Sequence, residues 1–244
     1  MHNKEIFWCK TCLNMSTRNR IEFDSDGVCN ACNWAKEKKS LNWNEREKEL
    51  ELLLGRHKSK NNYDVIVPIS GGKDGSYVTY QLKHKYGLNP LCVTITPPLA
   101  FDLGSENLDN FMKSGYDTLQ INPNYNVMRE LNKRGFVHQG RPLYGWTTAI
   151  FTAVMKVAKL HSINLVMYGE DGEIEYGGST ESKNKSVFNA EFTKRVYLEG
   201  ELEATLSGFD EQELFFWKFD EGDDLSEIEL AHWSYFESWD PYRN

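Results

Sequence analysis

Seven consecutive residues, Ser70-Gly71-Gly72-Lys73-Asp74-Gly75-Ser76, carry the plainest chemistry in this chain. They follow the apolar run Val65–Ile69 and lead into a helical pattern. A glycine-rich turn between a strand and a helix is a cradle for phosphate. Its backbone can approach the anion closely, and the first amides of the helix favour negative charge. A Walker A loop needs a glycine where this chain has Val67, so the turn belongs to another class.

A second group lies near the start of the chain. Cys9-Lys-Thr-Cys12 and Cys29-Asn-Ala-Cys32 are two Cys-x-x-Cys pairs 16 residues apart. That spacing suits four thiolates on one tetrahedral zinc ion. The alternatives are an iron–sulfur cluster, redox thiols or disulfides. Four thiolates leave no open position on the metal, so zinc there is expected to be structural. A substitution such as Cys29→Ser is then expected to disturb the module more than the chemistry at the glycine-rich turn. The fifth cysteine, Cys92, falls within an aliphatic run and reads as a buried hydrophobe.

A third group is acidic. Residues 168–179, Tyr-Gly-Glu-Asp-Gly-Glu-Ile-Glu-Tyr-Gly-Gly-Ser, hold Glu170, Asp171, Glu173 and Glu175 among four glycines. Such a loop could supply oxygen ligands to magnesium, hold a sugar hydroxyl, orient an amine, or simply form a solvated acidic turn.

The elements around these residues alternate. A helix is expected over 42–58, with Leu50, Leu53, Leu54 and His57 on one face. Strands are expected at Tyr63–Ile69, Leu91–Thr96, Thr118–Ile121 and Asn164–Tyr168. Helices are expected at Ser76–Tyr86, Ser105–Ser114, Val127–Arg134 and Tyr144–His161. This order predicts an α/β fold: a doubly wound, mostly parallel sheet beside a small four-cysteine zinc-ribbon module. Ligands of such sheets bind at the carboxyl ends of the strands, so the Ser70–Ser76 turn and the loop after Tyr168 should open onto one crevice. Thr193–Leu198 suits a strand or a helix. Trp217, Trp233 and Trp239 argue for a tail that is packed, as helix or loop, on the core or on another subunit. The expected division is 1–40 zinc module, 41–62 helix and linker, 63–198 nucleotide domain, and 199–244 acidic, aromatic segment.

The chain has 244 residues and a net charge of −8. Residues 1–198 carry about +4 and residues 199–244 about −12. The acidic tail argues against a nucleic-acid partner at that end and suits either a solvated surface or a docking face, with Asp223 and Asp224 in its centre. No apolar run approaches membrane-spanning length, and the first residues lack a signal-peptide core, so a cytoplasmic protein is expected.

Taken together these motifs resemble one family. Ser-Gly-Gly-Lys-Asp-Gly-Ser is similar to the Ser-Gly-Gly-x-Asp-Ser signature of the PP-loop ATP pyrophosphatases, with Gly75 displacing the serine to Ser76. Joined to Asp26-Gly27-Val28-Cys29-Asn30-Ala31-Cys32 and Tyr168-Gly169-Glu170-Asp171-Gly172-Glu173, it looks like the N-acetyl sugar amidotransferases of bacterial surface-glycan synthesis, whether of lipopolysaccharide or flagellin. The chain is shorter than members of that family are expected to be.

The resemblance implies an ATP-dependent ligase. A sugar N-acetyl oxygen is adenylated, pyrophosphate leaves, and ammonia displaces AMP to give an acetamidino sugar. Glutaminase and cyclase-like subunits are implied as the ammonia source. ATP, Mg2+ and Zn2+ are implied, with Ser70, Gly71, Gly72, Gly75, Ser76 and Gly169 at the phosphates. Lys73, Asp74, Glu170 and Glu173 fall at the reaction centre, and Thr94 and Thr96 near adenosine. Two other readings share parts of the pattern: a tRNA 2-thiolation enzyme, and a non-catalytic ATP-binding subunit.

Overall fold

The four cysteines come first in the computed structural model, which describes residues 5–59, 62–198, 202–219, 222 and 224–240. Their loops run into α1 (Asn30–Glu37) and, after a 3-10 turn, α2 (Trp43–His57). The Asn42 side chain accepts from the Glu45 amide and starts α2. Leu50, Leu53 and Leu54 are the buried stripe of that helix, at the spacing expected.

From β1 (Val65–Pro68) the chain alternates: α3 (Lys73–His84), β2 (Pro90–Ile95), α4 (Asp102–Lys113), β3 (Thr118–Ile121), α5 (Tyr125–Gln139), α6 (Tyr144–Leu160) and β4 (Leu165–Tyr168). Short helices α7 (Gly172–Tyr176), α8 (Ala190–Phe192) and α9 (Leu202–Leu206) precede β5 (Glu229–His232) and α10 (Trp233–Phe236). The five strands form one sheet in the order β3-β2-β1-β4-β5. Every strand pair is parallel. Pro68 sits at the last position of β1, where its missing amide costs least.

Alternate strand residues face opposite layers. Ile66, Val93, Val166 and Leu230 pack with α5, α6 and Trp217 on one side. Val65, Val67, Cys92, Met167 and Ala231 pack with α2, α3 and α10 on the other. Helices thus cover both faces, as a parallel sheet requires.

The tail departs from expectation. It supplies a fifth strand, where helix or loop was expected. Trp217 and Trp233 are buried, and the Trp217 indole donates to the Gly145 carbonyl at 2.8 Å. A strand of four residues between Ile228 and Trp233 is too short to show alternation in the sequence. Glu229 ties it to α2 through His57 at 2.6 Å and Arg56 at 2.9 Å. Thr193–Tyr197 is helical, as a single π turn. Asp224 caps a turn at Ser226, and Asp223 lies outside the described residues.

Candidate functional site

Strands β1 and β4 are neighbours, and the sheet grows from them in opposite directions. This is the switch point at which open α/β sheets bind ligands. The turn after β1 and the loop after β4 meet there, and the contact is close. A Cβ on Gly169 would lie 2.8 Å from the Asp74 Cβ, so only glycine lets the two loops touch.

Behind this contact is a cleft of about 240 Å³. Ser70, Asp74, Gly75 and Glu170 form its polar rim, and Val93, Ile95, Trp146, Ile150, Val154 and Tyr168 its apolar floor and wall. The Trp146 indole donates to the Ile95 carbonyl at 3.0 Å, which fixes the ring. Helix α6 reaches this position because Gly145 fits against Leu131 of α5, where a Cβ would be 2.8 Å from the leucine Cβ.

The turn is shaped by its glycines. Gly71 has a φ of +80°, and a Cβ there would lie 2.8 Å from the Leu108 nitrogen of α4. Gly72 precedes α3, which no side chain caps, so its first amides remain for an anion. Lys73 pairs with Asp74 at 2.6 Å and lies 5.1 Å from the Trp239 ring centroid. Gly75 lines the cleft, and a Cβ there would meet the Pro68 carbonyl oxygen at 2.8 Å. Ser76 turns back to donate to the Gly72 carbonyl at 2.8 Å. The extra residue therefore puts glycine, not serine, on the cleft wall.

Thr94 and Thr96, expected near adenosine, do not line the cleft. Thr94 is buried on the opposite layer, and Thr96 bonds to Asn122 and Gln120 beside β3. Val93 and Ile95, which alternate with them, face the cleft instead.

The four carboxylates of the acidic loop diverge. Glu170 stands on the cleft and accepts the Tyr176 hydroxyl at 2.8 Å on each oxygen. Burial, then the bond to Glu170 and its charge, push the Tyr176 phenol up to about 12, so it remains a donor. Asp171 is buried and accepts from the Glu173 amide at 3.0 Å and the Tyr197 hydroxyl at 3.1 Å. Glu173 pairs with Arg20 at 2.9 Å, and Glu175 accepts from Trp34 at 3.0 Å and Lys38 at 2.5 Å. Glu173, expected at the reaction centre, pairs with Arg20 of the cysteine module and does not line this cleft. Tyr176 and Trp146 escaped the sequence reading, because nothing in an aromatic residue's neighbours shows which turn faces a cleft.

The four cysteines converge. Their sulfurs all lie within 4.8 Å of one another, and none is in a disulfide. The amides of Thr11 and Cys29 donate to the Cys9 sulfur at 3.4 and 3.2 Å. Burial opposes ionisation of Cys9, but backbone donors at Cys12, Cys29 and Thr11 outweigh it and bring the thiol down to about 6. Four sulfurs at this spacing, with two amides turned on the Cys9 sulfur, fit a metal ion such as zinc.

Larger open grooves lie elsewhere. One of about 760 Å³ runs beside β5, and one of about 870 Å³ beside α9. Neither holds a glycine-rich turn or a cysteine.

No family model matches the chain. An uncharacterized protein of Methanocaldococcus jannaschii is 29% identical over 175 residues, covering 70% of this chain. The chain spans 61% of that relative's length. Among the described residues, no helix is long and apolar enough to cross a membrane.

Proposed function

We propose that the protein is a PP-loop enzyme of the N-acetyl sugar amidotransferase type, which uses ATP to activate an N-acetyl oxygen and replaces it with ammonia. The observation that carries this reading is the contact of Gly169 with Asp74, which joins the glycine-rich turn and Glu170 on one apolar-floored cleft. The adenine ring would lie against Trp146, Val93 and Ile95. The uncapped start of α3 would take the pyrophosphate end, with Lys73 released from Asp74 to balance its charge. Asp74 and Glu170 are the carboxylates available to a magnesium ion, which when bound supplies charge neutralisation at the phosphates. The four cysteines would hold one zinc ion with a structural task.

In this reaction the N-acetyl oxygen forms a bond to the α-phosphorus, and the bond to pyrophosphate breaks. Ammonia then adds to the acetimidate carbon, loses a proton, and AMP departs with the oxygen. The protein's part is to hold the two reactants in line and stabilise phosphate charge. A cleft of about 240 Å³ lies just below the ~300 Å³ lower range of small-molecule pockets. It suits the nucleoside, with the sugar outside at the rim.

Cys92 speaks against the thiolation reading. It is buried beside Thr79 on the layer away from the cleft, and burial pushes its thiol up to about 11. With the other four cysteines gathered on one site, none is left as a glutaminase nucleophile. Glutaminase and cyclase-like partners are therefore assigned the ammonia supply. The test is pyrophosphate release with ammonium and a panel of free, nucleotide-linked and lipid-linked N-acetyl sugars, against tRNA with a sulfur donor. Turnover with an N-acetyl sugar and ammonium, and none with glutamine alone, is expected. Turnover only with tRNA would overturn the assignment.

A further inference from the structure

The cysteine module and the acidic loop are built onto each other. Five side chains of the module reach the loop. Asn14 donates to the Tyr176 carbonyl at 3.1 Å, and Asn30 to the Gly178 carbonyl at 2.9 Å. Arg20 pairs with Glu173, while Trp34 and Lys38 share Glu175. The loop is shaped to receive them. Gly177 has a φ of +86°, and a Cβ there would lie 3.1 Å from the Asn30 Oδ1 and 3.3 Å from the Asn14 Nδ2. The Asn14 amide also lies 3.9 Å from the Cys29 sulfur, so one side chain touches both a cysteine of the cluster and the backbone of Tyr176.

Tyr176 completes the path, because its hydroxyl holds both oxygens of Glu170. The root of the loop has separate support. The Asp171 amide donates to Ser234 at 3.1 Å, and His232 bonds the Glu170 carbonyl at 3.1 Å. The module's apolar cluster is small: Cys9, Val28, Cys29 and Ala31 are buried, with Ile21 and Phe23 partly buried against them. A unit that small relies on its metal to stay folded.

We propose that the metal-loaded cysteine module is a jig for residues 173–179, and that Tyr176 is a positioning residue that transmits its grip to the Glu170 carboxylate. The expectation that metal loss harms the module more than the chemistry is then reversed: the chemistry depends on it. Only the Glu170 half rests on the function proposed above.

The first test is amide hydrogen exchange on the full chain, zinc-loaded and chelator-stripped. Residues 173–179 should exchange at least ~10-fold faster without zinc, while β4 and β5 stay protected. Unchanged exchange in 173–179 after complete zinc loss overturns the jig. If stripping unfolds the whole chain, Glu175→Gln decides, since it leaves all four cysteines. Zinc retained with faster exchange in 173–179 supports the jig, and unchanged exchange overturns it. The second test is Tyr176→Phe in ATP-dependent turnover. A fall of ~10-fold in kcat with KM for ATP nearly constant is expected of a positioning contact. An unchanged kcat removes the positioning role. The exchange experiments need no turnover, so an error in the assigned reaction would leave the jig to stand or fall by itself.

Discussion

Glu170 and Glu173 are three residues apart in a loop of similar composition, yet they do different work. Glu170 stands on the cleft under the Tyr176 hydroxyl, and Glu173 is drawn to Arg20. The spacing of carboxylates cannot reveal this, because the partner that draws Glu173 away, Arg20, lies 153 residues earlier in the sequence. The glycine-rich turn was legible, since its residues act through backbone conformation that glycine alone allows. Glu170→Gln should lower turnover by about 100-fold, as expected when a group that meets transition-state charge is lost, with little change in melting temperature. Lys73→Ala should weaken ATP binding by about tenfold through loss of a charged phosphate contact. Calorimetry and turnover of each variant would check both. An active Glu170→Gln enzyme would move the reaction centre elsewhere.

At the scale of elements, the first four strands and the long helices follow from aliphatic runs and helical periodicity. The ends were less legible. Helix α3 starts at Lys73 and α5 runs on to Gln139, with Gly75 and Gly135 inside the helices at points of close packing. Strand β5 was not legible at all, since its four residues are defined by pairing with β4. Its anchor gives a pH test. Burial opposes ionisation of Glu229, but His57 and Arg56 outweigh it and hold the carboxyl below its ordinary 4.5. A depressed carboxylate stabilises the fold above the ordinary value, and that contribution fades as pH falls through the lower folded value. Glu229→Gln should therefore be less stable than the native chain at neutral pH. The gap should narrow below about pH 4.5 in denaturant titrations. A gap independent of pH would assign the effect to packing instead.

At the scale of the whole molecule, three parts separate in sequence converge on the acidic loop: the cysteine module, the sheet that carries it, and the tail with β5 and α10. The module grips the acidic loop from one side, while His232 and Ser234 hold it from the other. Metal analysis should find one zinc ion per chain, and native protein should titrate as free thiols only after its release. A disulfide within either Cys-x-x-Cys pair would contradict this. The proposed step is adenylation of the substrate in the cleft. It is tested most directly by phosphorus NMR of ATP consumed with ammonium and an accepted N-acetyl sugar. AMP and pyrophosphate in equal amounts are expected, and ADP with inorganic phosphate would overturn the proposed reaction.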